Sequence, residues 1–143
     1  MRPAPRILVV DAAILISALL GRSSAVLSIV APQIALLTTD RAVEETRRRL
    51  ELGLKRPDLV ESLGRLTTQV EIVSGDTLTS VLAKAQACLR DAVPSRNGAV
   101  TDAHVVALAW EADAEIWSHD RDFAGVGIAS WSTVNLLRAM AQT

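Results

Sequence analysis

Short apolar runs alternate with longer amphipathic segments along this chain. Ile7-Leu8-Val9-Val10 is rich in β-branched residues and predicts a buried strand. Ala12 to Leu20 follows with helical spacing, and Gly21 stands where a helix ends in a left-handed residue. Ser23 or Ser24 caps a second helix to about Pro32, and Ile34 to Leu37 is a second strand. Asp40 caps a third helix that carries Glu44, Glu45, Arg47, Arg48, Arg49 and Leu50, with Gly53 and Pro57 marking its end. Asp58 to Leu66 is a short helix, Val70 to Val73 a third strand, and Asp76 caps a long helix to about Ala92. Pro94 to Gly98 is a loop by composition, and Thr101 caps a helix from Asp102 to about Ala112. Ala114 to Trp117 is a fourth strand, His119 to Gly127 a loop or single helical turn, and Ile128 to Trp131 a short fifth strand. Ser132 caps a closing helix to about Ala141.

Buried strands alternating with helices predict a parallel sheet covered on both faces, joined by right-handed crossovers. The expected architecture is a single three-layer α/β/α sandwich with a central sheet of about five strands. In such sheets the functional crevice lies at the carboxyl ends of the strands, where strand order reverses.

Composition narrows the classes further. The 143 residues are 50% hydrophobic, with three Trp, one Phe and no Tyr, so the core is aliphatic. A chain of this size buries roughly two-thirds of the surface that its unfolded form exposes, so the core needs no disulfide or structural metal. Cys88 is the single cysteine, which excludes an internal disulfide and a cysteine-rich zinc module. A net charge of −1 excludes a globally basic nucleic-acid coat but leaves room for a local basic stripe. The N-terminus imitates a signal peptide, with Arg2 and Arg6 before an apolar run. Asp11 interrupts that run, and Ser23 to Thr39 contains Pro32 and Gln33; neither is a span of about 20 apolar residues. A cytoplasmic protein is the expectation.

Carboxylates carry the chemical signal. Asp11 directly follows the first strand, Asp120 comes shortly after the fourth, Asp102 opens the helix leading into that strand, and Glu45 lies early in the third helix beside Glu44. Each has an ordinary explanation alone. Asp11 caps a helix, Asp102 meets a helix dipole, Glu45 pairs with Arg49, and Asp120 and Asp122 form turns. The expected topology nevertheless allows them all to meet at one sheet edge. Carboxylates crowded there repel one another unless a cation intervenes. Oxygen ligands without a Cys or His cluster suit Mg²⁺ or Mn²⁺ rather than zinc. A site of that kind favours phosphoryl transfer, in which the ion polarises the phosphate and activates a water.

The runs ILVVDAAILISALLG, VEETRRRL and TDAHVVALAWEADAEIWSHDRDF together resemble the PIN-domain ribonucleases, many of which are VapC-type toxins of toxin–antitoxin pairs. The resemblance spans nearly the whole chain and is most specific in the last run. It implies the PIN-like fold and matches Asp11, Glu45, Asp102 and Asp120 to the four catalytic acids, with Asp11 and Asp102 as metal ligands. Asp122 and Glu44 are the further claimants. Ser118 stands where the family often has Thr. The resemblance also implies cleavage of RNA by in-line attack of water, leaving 5′-phosphate and 3′-hydroxyl ends, a homodimer, and a small antitoxin covering the acid cleft. One departure is Ala13, where the family often has a polar residue supporting the first acid. That departure motivates the alternative of a catalytically degenerate PIN-like protein-binding module.

Other residues were weighed against this reading. His104 and His119 as a metal-free acid–base pair lack a nucleophile, although His119 adjoins Asp120 and can line a cleft. Arg41 to Arg56 is the densest basic stretch. It is either a solvated helix face or, through Arg47 and Arg48 with Arg96 and Arg121, a surface for RNA phosphates. The scarcity of aromatics does not support single-strand binding by stacking. There is no GxxxxGK[ST], GxGxxG or GxSxG. Receiver domains and aspartyl phosphatases are excluded because Ala12 and Ala13 supply no second acid.

Overall fold

β1 (Ile7–Val10) is the middle of the sheet, and its side chains divide between two cores. A computed structural model describes residues 2–21, 24–92, 99–119 and 128–142, with backbone only at 24, 88–92 and 99–102. Five strands align in the order β3-β2-β1-β4-β5, where β2 is Ala35–Thr39, β3 Glu71–Val73, β4 Glu115–Trp117 and β5 Ser130–Trp131. Every pairing is parallel, with Leu8 opposite both Leu36 and Glu115. The helices are α1 (Ala12–Leu19), α2 (Ser24–Val30), α3 (Asp40–Arg48), α4 (Asp58–Leu66), α5 (Thr79–Ala92), α6 (Ala99–Ala112) and α7 (Thr133–Ala141).

Strand alternation explains why the apolar runs are continuous. Val9 and Ile116 turn to one face and pack with Leu78, Ala85 and the buried side of α6. Leu8, Val10, Leu36 and Trp117 turn to the other face and meet Ile14 and Leu15 of α1, Leu27 of α2 and Leu136 of α7. A strand with helices on both faces has no polar side to show. The three-layer α/β/α architecture expected from the sequence is the one observed.

Three helix starts differ from the sequence reading. The cap of α3 is Thr39, whose Oγ1 accepts from Ala42 N at 3.0 Å; Asp40 is already helical. The segment before α5 opens with a 3₁₀ turn over Gly75–Leu78, capped by Ser74 rather than Asp76. Thr101 lies inside α6, which begins at Ala99. In the first case, local rules favour Asp at a cap as much as Thr. The structure gives Asp40 another partner: its Oδ1 accepts from Gly75 N at 2.9 Å, across 35 residues. A long-range contact of that kind carries no local signature. The third helix also continues past Arg48 as a π-helical turn over Arg49–Gly53 before Pro57. Strand boundaries shift by a residue or two, while Asp58–Leu66 and the Ser132 cap are as expected. The loops expected at Pro94–Gly98 and over 120–127 lie outside the described residues.

Gly75 sits where three elements converge. A Cβ there would lie 2.8 Å from Cδ2 of buried His104 on α6 and 3.2 Å from Oδ1 of Asp40. A ring held in a packed interior cannot swing aside like a surface chain end. Gly75→Ala is therefore expected to destabilise the fold by about 1–3 kcal/mol. Urea denaturation checks this, and a midpoint equal to that of the unmodified chain contradicts it.

Candidate functional site

The strand order reverses between β1 and β4, because the chain builds outward from β1 on one side to β2 and β3 and on the other to β4 and β5. A crevice at the carboxyl ends of these two strands is the expected ligand position in an open parallel sheet. Asp11 stands at that point. It follows Val10, its backbone N donates to Trp117 O at 3.3 Å, and the residue is only 6% exposed.

Two hydrogen bonds orient this carboxylate. Oδ1 accepts from Ile14 N at 3.1 Å, which makes Asp11 the N-cap of α1. Oδ2 accepts a short hydrogen bond from the hydroxyl of Ser118, the residue that follows β4. Ser118 is itself buried, and its backbone N donates to Trp131 O at 3.0 Å, so β5 holds it in turn. Capping and chemistry are thus not competing explanations for Asp11. The cap fixes one oxygen, and the helix N-terminus favours a negative charge there. The support expected from position 13 and denied by Ala13 comes from Ser118 instead. Sequence reasoning noted Ser118 but gave it no contact.

A second hydroxyl trims the same edge. Thr38, fully buried near the end of β2, donates Oγ1–H to Val10 O at 2.8 Å. The bond satisfies the carbonyl just before Asp11 and ties the ends of β1 and β2 together. Nothing in the local sequence singled Thr38 out. A threonine in a strand reads only as strand propensity.

The remaining acids divide by what the structure describes. Glu45 is half-buried on α3, which starts directly from β2 and packs against α1 and α6. Its neighbour Glu44 is exposed and pairs with Arg47, whose hydrogen bond holds the Glu44 carboxyl below its usual range. Arg47 also bonds Glu51 at 3.1 Å, so the i,i+4 ion pair of this helix is Arg47–Glu51 rather than Glu45–Arg49. Arg48 is exposed. The backbone of Asp102 lies in the first turn of α6, the helix that leads into the parallel strand β4. That start lies at the carboxyl edge, because a crossover helix runs back along the sheet. The Asp102 side chain, and all of Asp120, Asp122, Arg96 and Arg121, fall outside the described residues. Among the described residues, no three His, Cys, Asp or Glu side chains gather to hold a metal.

An oxygen-only donor set suits a hard divalent cation. Of the expected donors, the described side chains are Asp11 and Glu45, both carboxylates and so of the type that such an ion takes. No helix of the described residues is long and apolar enough to cross a membrane.

Comparison with known proteins agrees with this geometry. A family model described as a PIN domain matches residues 9–141. Among solved structures, the chain is similar to one in VapBC2 from Rickettsia felis bound to a DNA fragment from their promoter. The identity is 12%, the TM-score is 0.71, and the match covers 88% of this chain and 98% of that one. It is also similar to a chain of FitAB bound to an IR36 DNA fragment, at 15% identity and a TM-score of 0.60, covering 89% and 94% respectively. No curated protein matches it in sequence.

Proposed function

We infer that this chain, which belongs to the PIN domain family, is a divalent-metal-dependent endoribonuclease and the toxin of a toxin–antitoxin pair. The observation that carries the reading is the buried Asp11 carboxylate, held by Ser118 at the strand-order reversal. A buried, oriented carboxyl group at the strand-order reversal stands where an open parallel sheet places its chemistry.

Asp11 and Asp102 would hold Mg²⁺ or Mn²⁺, with Glu45 and Asp120 orienting the attacking water. When bound, the ion would supply Lewis-acid polarisation of the phosphate and of that water. The residues do the rest by positioning. Ser118 and the α1 N-terminus fix the Asp11 oxygens, and the bond from Thr38 to Val10 O fixes the backbone from which Asp11 projects. Exposed Arg48 on α3, with Arg96 and Arg121, would meet the phosphates on either side of the cut. Arg47 shares its charge between Glu44 and Glu51. In-line attack would leave 5′-phosphate and 3′-hydroxyl ends.

Partners follow from the same likeness. VapBC2 and FitAB are two-component assemblies described on DNA. We extend to this chain a small antitoxin protein that covers the acid edge, and a homodimer.

The competing idea, a protein-binding module without catalysis, rests on Ala13. The hydroxyl of Ser118 meets the need that Ala13 leaves, which favours the nuclease. Mn²⁺ calorimetry tests the choice: heat that depends on Asp11 supports the nuclease, and its absence supports the module. Ser118→Ala is expected to weaken Mn²⁺ binding and cleavage by about 10- to 100-fold, the usual cost of losing a group that orients a ligand. Ser118→Thr should retain both, since it keeps the hydroxyl. Equal Mn²⁺ affinity in Ser118→Ala and the unmodified chain would remove the positioning role.

A further inference from the structure

His119 follows Ser118 directly, so its Cα lies about 3.8 Å from that of the residue holding Asp11. Its ring is solvent-exposed yet tethered. Nε2 lies 3.3 Å from Oγ1 of Thr133, at the start of α7, and the same oxygen accepts from Nε1 of fully buried Trp117 at 3.0 Å. Core residue, hydroxyl and imidazole thus form a chain from the interior to the rim of the acid edge. An indole N–H only donates, so the Thr133 oxygen must accept from it. That oxygen keeps one hydrogen to give and a second lone pair, so its contact with Nε2 can run in either direction.

We propose that His119 is a substrate-positioning residue whose Nδ1, as an N–H, donates to a phosphate oxygen of the RNA strand lying across the acid edge, with Thr133 fixing the direction of the ring. The proposal rests on the ribonuclease reading above. Its chemistry is that of matched partners: an imidazole N–H is a donor, and phosphate oxygens only accept. The tether means that little ring freedom remains to be lost on binding.

The test is fluorescence anisotropy with a labelled, mixed-sequence single-stranded RNA of about 20 nucleotides, long enough to span a single-strand site. It is run in an Asp11→Asn background in which the strand stays intact. Adding His119→Ala is expected to raise Kd about three- to tenfold, the range of one hydrogen bond. His119→Asn, whose amide nitrogen replaces Nδ1, should bind like the background. Thr133→Val should weaken binding about threefold through the freed ring, and Thr133→Ser should not. An unchanged Kd in His119→Ala overturns this proposal alone. A background protein that binds no RNA overturns the ribonuclease reading and this proposal with it.

Discussion

Asp11→Asn is expected to lower RNA cleavage by at least about a thousandfold, a loss typical of removing a preorganised charge from a reacting site. The fold should survive. Asn is as good an N-cap as Asp, so its amide oxygen can still accept from Ile14 N. Ser118 Oγ can reverse its role and accept from the new amide nitrogen, because a hydroxyl both donates and accepts. The substitution therefore removes one charge and little else, and stability should change by less than about 1 kcal/mol. Asp11→Ala separates the two roles of the side chain. It should lose cleavage to the same degree and also about 1 kcal/mol of cap stability. Cleavage of a labelled RNA in Mg²⁺ or Mn²⁺, with urea denaturation in parallel, measures both. Asp58→Asn is the control. That carboxylate is exposed and paired with Arg56 at 3.0 Å, on α4, and its loss should leave cleavage as it was. Asp11→Asn protein that still cuts at the original rate would remove the chemical basis of the assignment.

Local rules in the sequence reached the elements but not the contacts between them. Ile7 to Val10 announced a strand buried on both faces, because only such a strand lacks alternation. Ser132 announced a helix start through the donor that it caps, Asn135 N. Asp40 marks where this stops. Its type fits a cap, but the place went to Thr39, and Asp40 reaches Gly75 instead. The site divides along the same line. Position after a strand put Asp11 at the carboxyl edge, next to β4. The group that holds it, Ser118, lies 107 residues away, and only the pairing of β1 with β4 brings it near. Thr38 is the clearest omission. Its bond to Val10 O depends on the register of β1 on β2, which no pattern of apolar residues specifies. Glu44 and Glu45 are adjacent and alike in type. Helical facing separates them, with Glu44 committed to Arg47 in solvent and Glu45 half-buried.

Trp117→Ala is expected to destabilise the fold by about 3–5 kcal/mol, the range for deleting a buried aromatic ring. Trp117 is fully buried at the end of β4, where it packs with Leu8, Val10, Ile14 and Leu136. Its cross-strand neighbour Trp131 is as large but is held by its own hydrogen bond to Glu115, so the cavity stays largely open. A domain stable by about 5–15 kcal/mol would lose a large share of that margin. Trp117→Phe should cost less, about 1–2 kcal/mol, since most of the ring surface is kept and the hydrogen bond to Thr133 Oγ1 is lost. Urea denaturation followed by circular dichroism avoids the change in fluorescence, and an unchanged slope would show that the unfolded state is not involved. A loss under about 1 kcal/mol for Trp117→Ala would mean that this end of the sheet is not packed as described. The position also links stability to the acid edge. Trp117 O accepts from Asp11 N, and the next residue holds the Asp11 carboxylate. Relaxation of β4 into the cavity should displace Ser118, the next residue along the chain, before it displaces Leu8 or Val10 on the central strand. Mn²⁺ affinity should therefore fall in Trp117→Ala even at temperatures where the protein remains folded, and fall much less in Trp117→Phe.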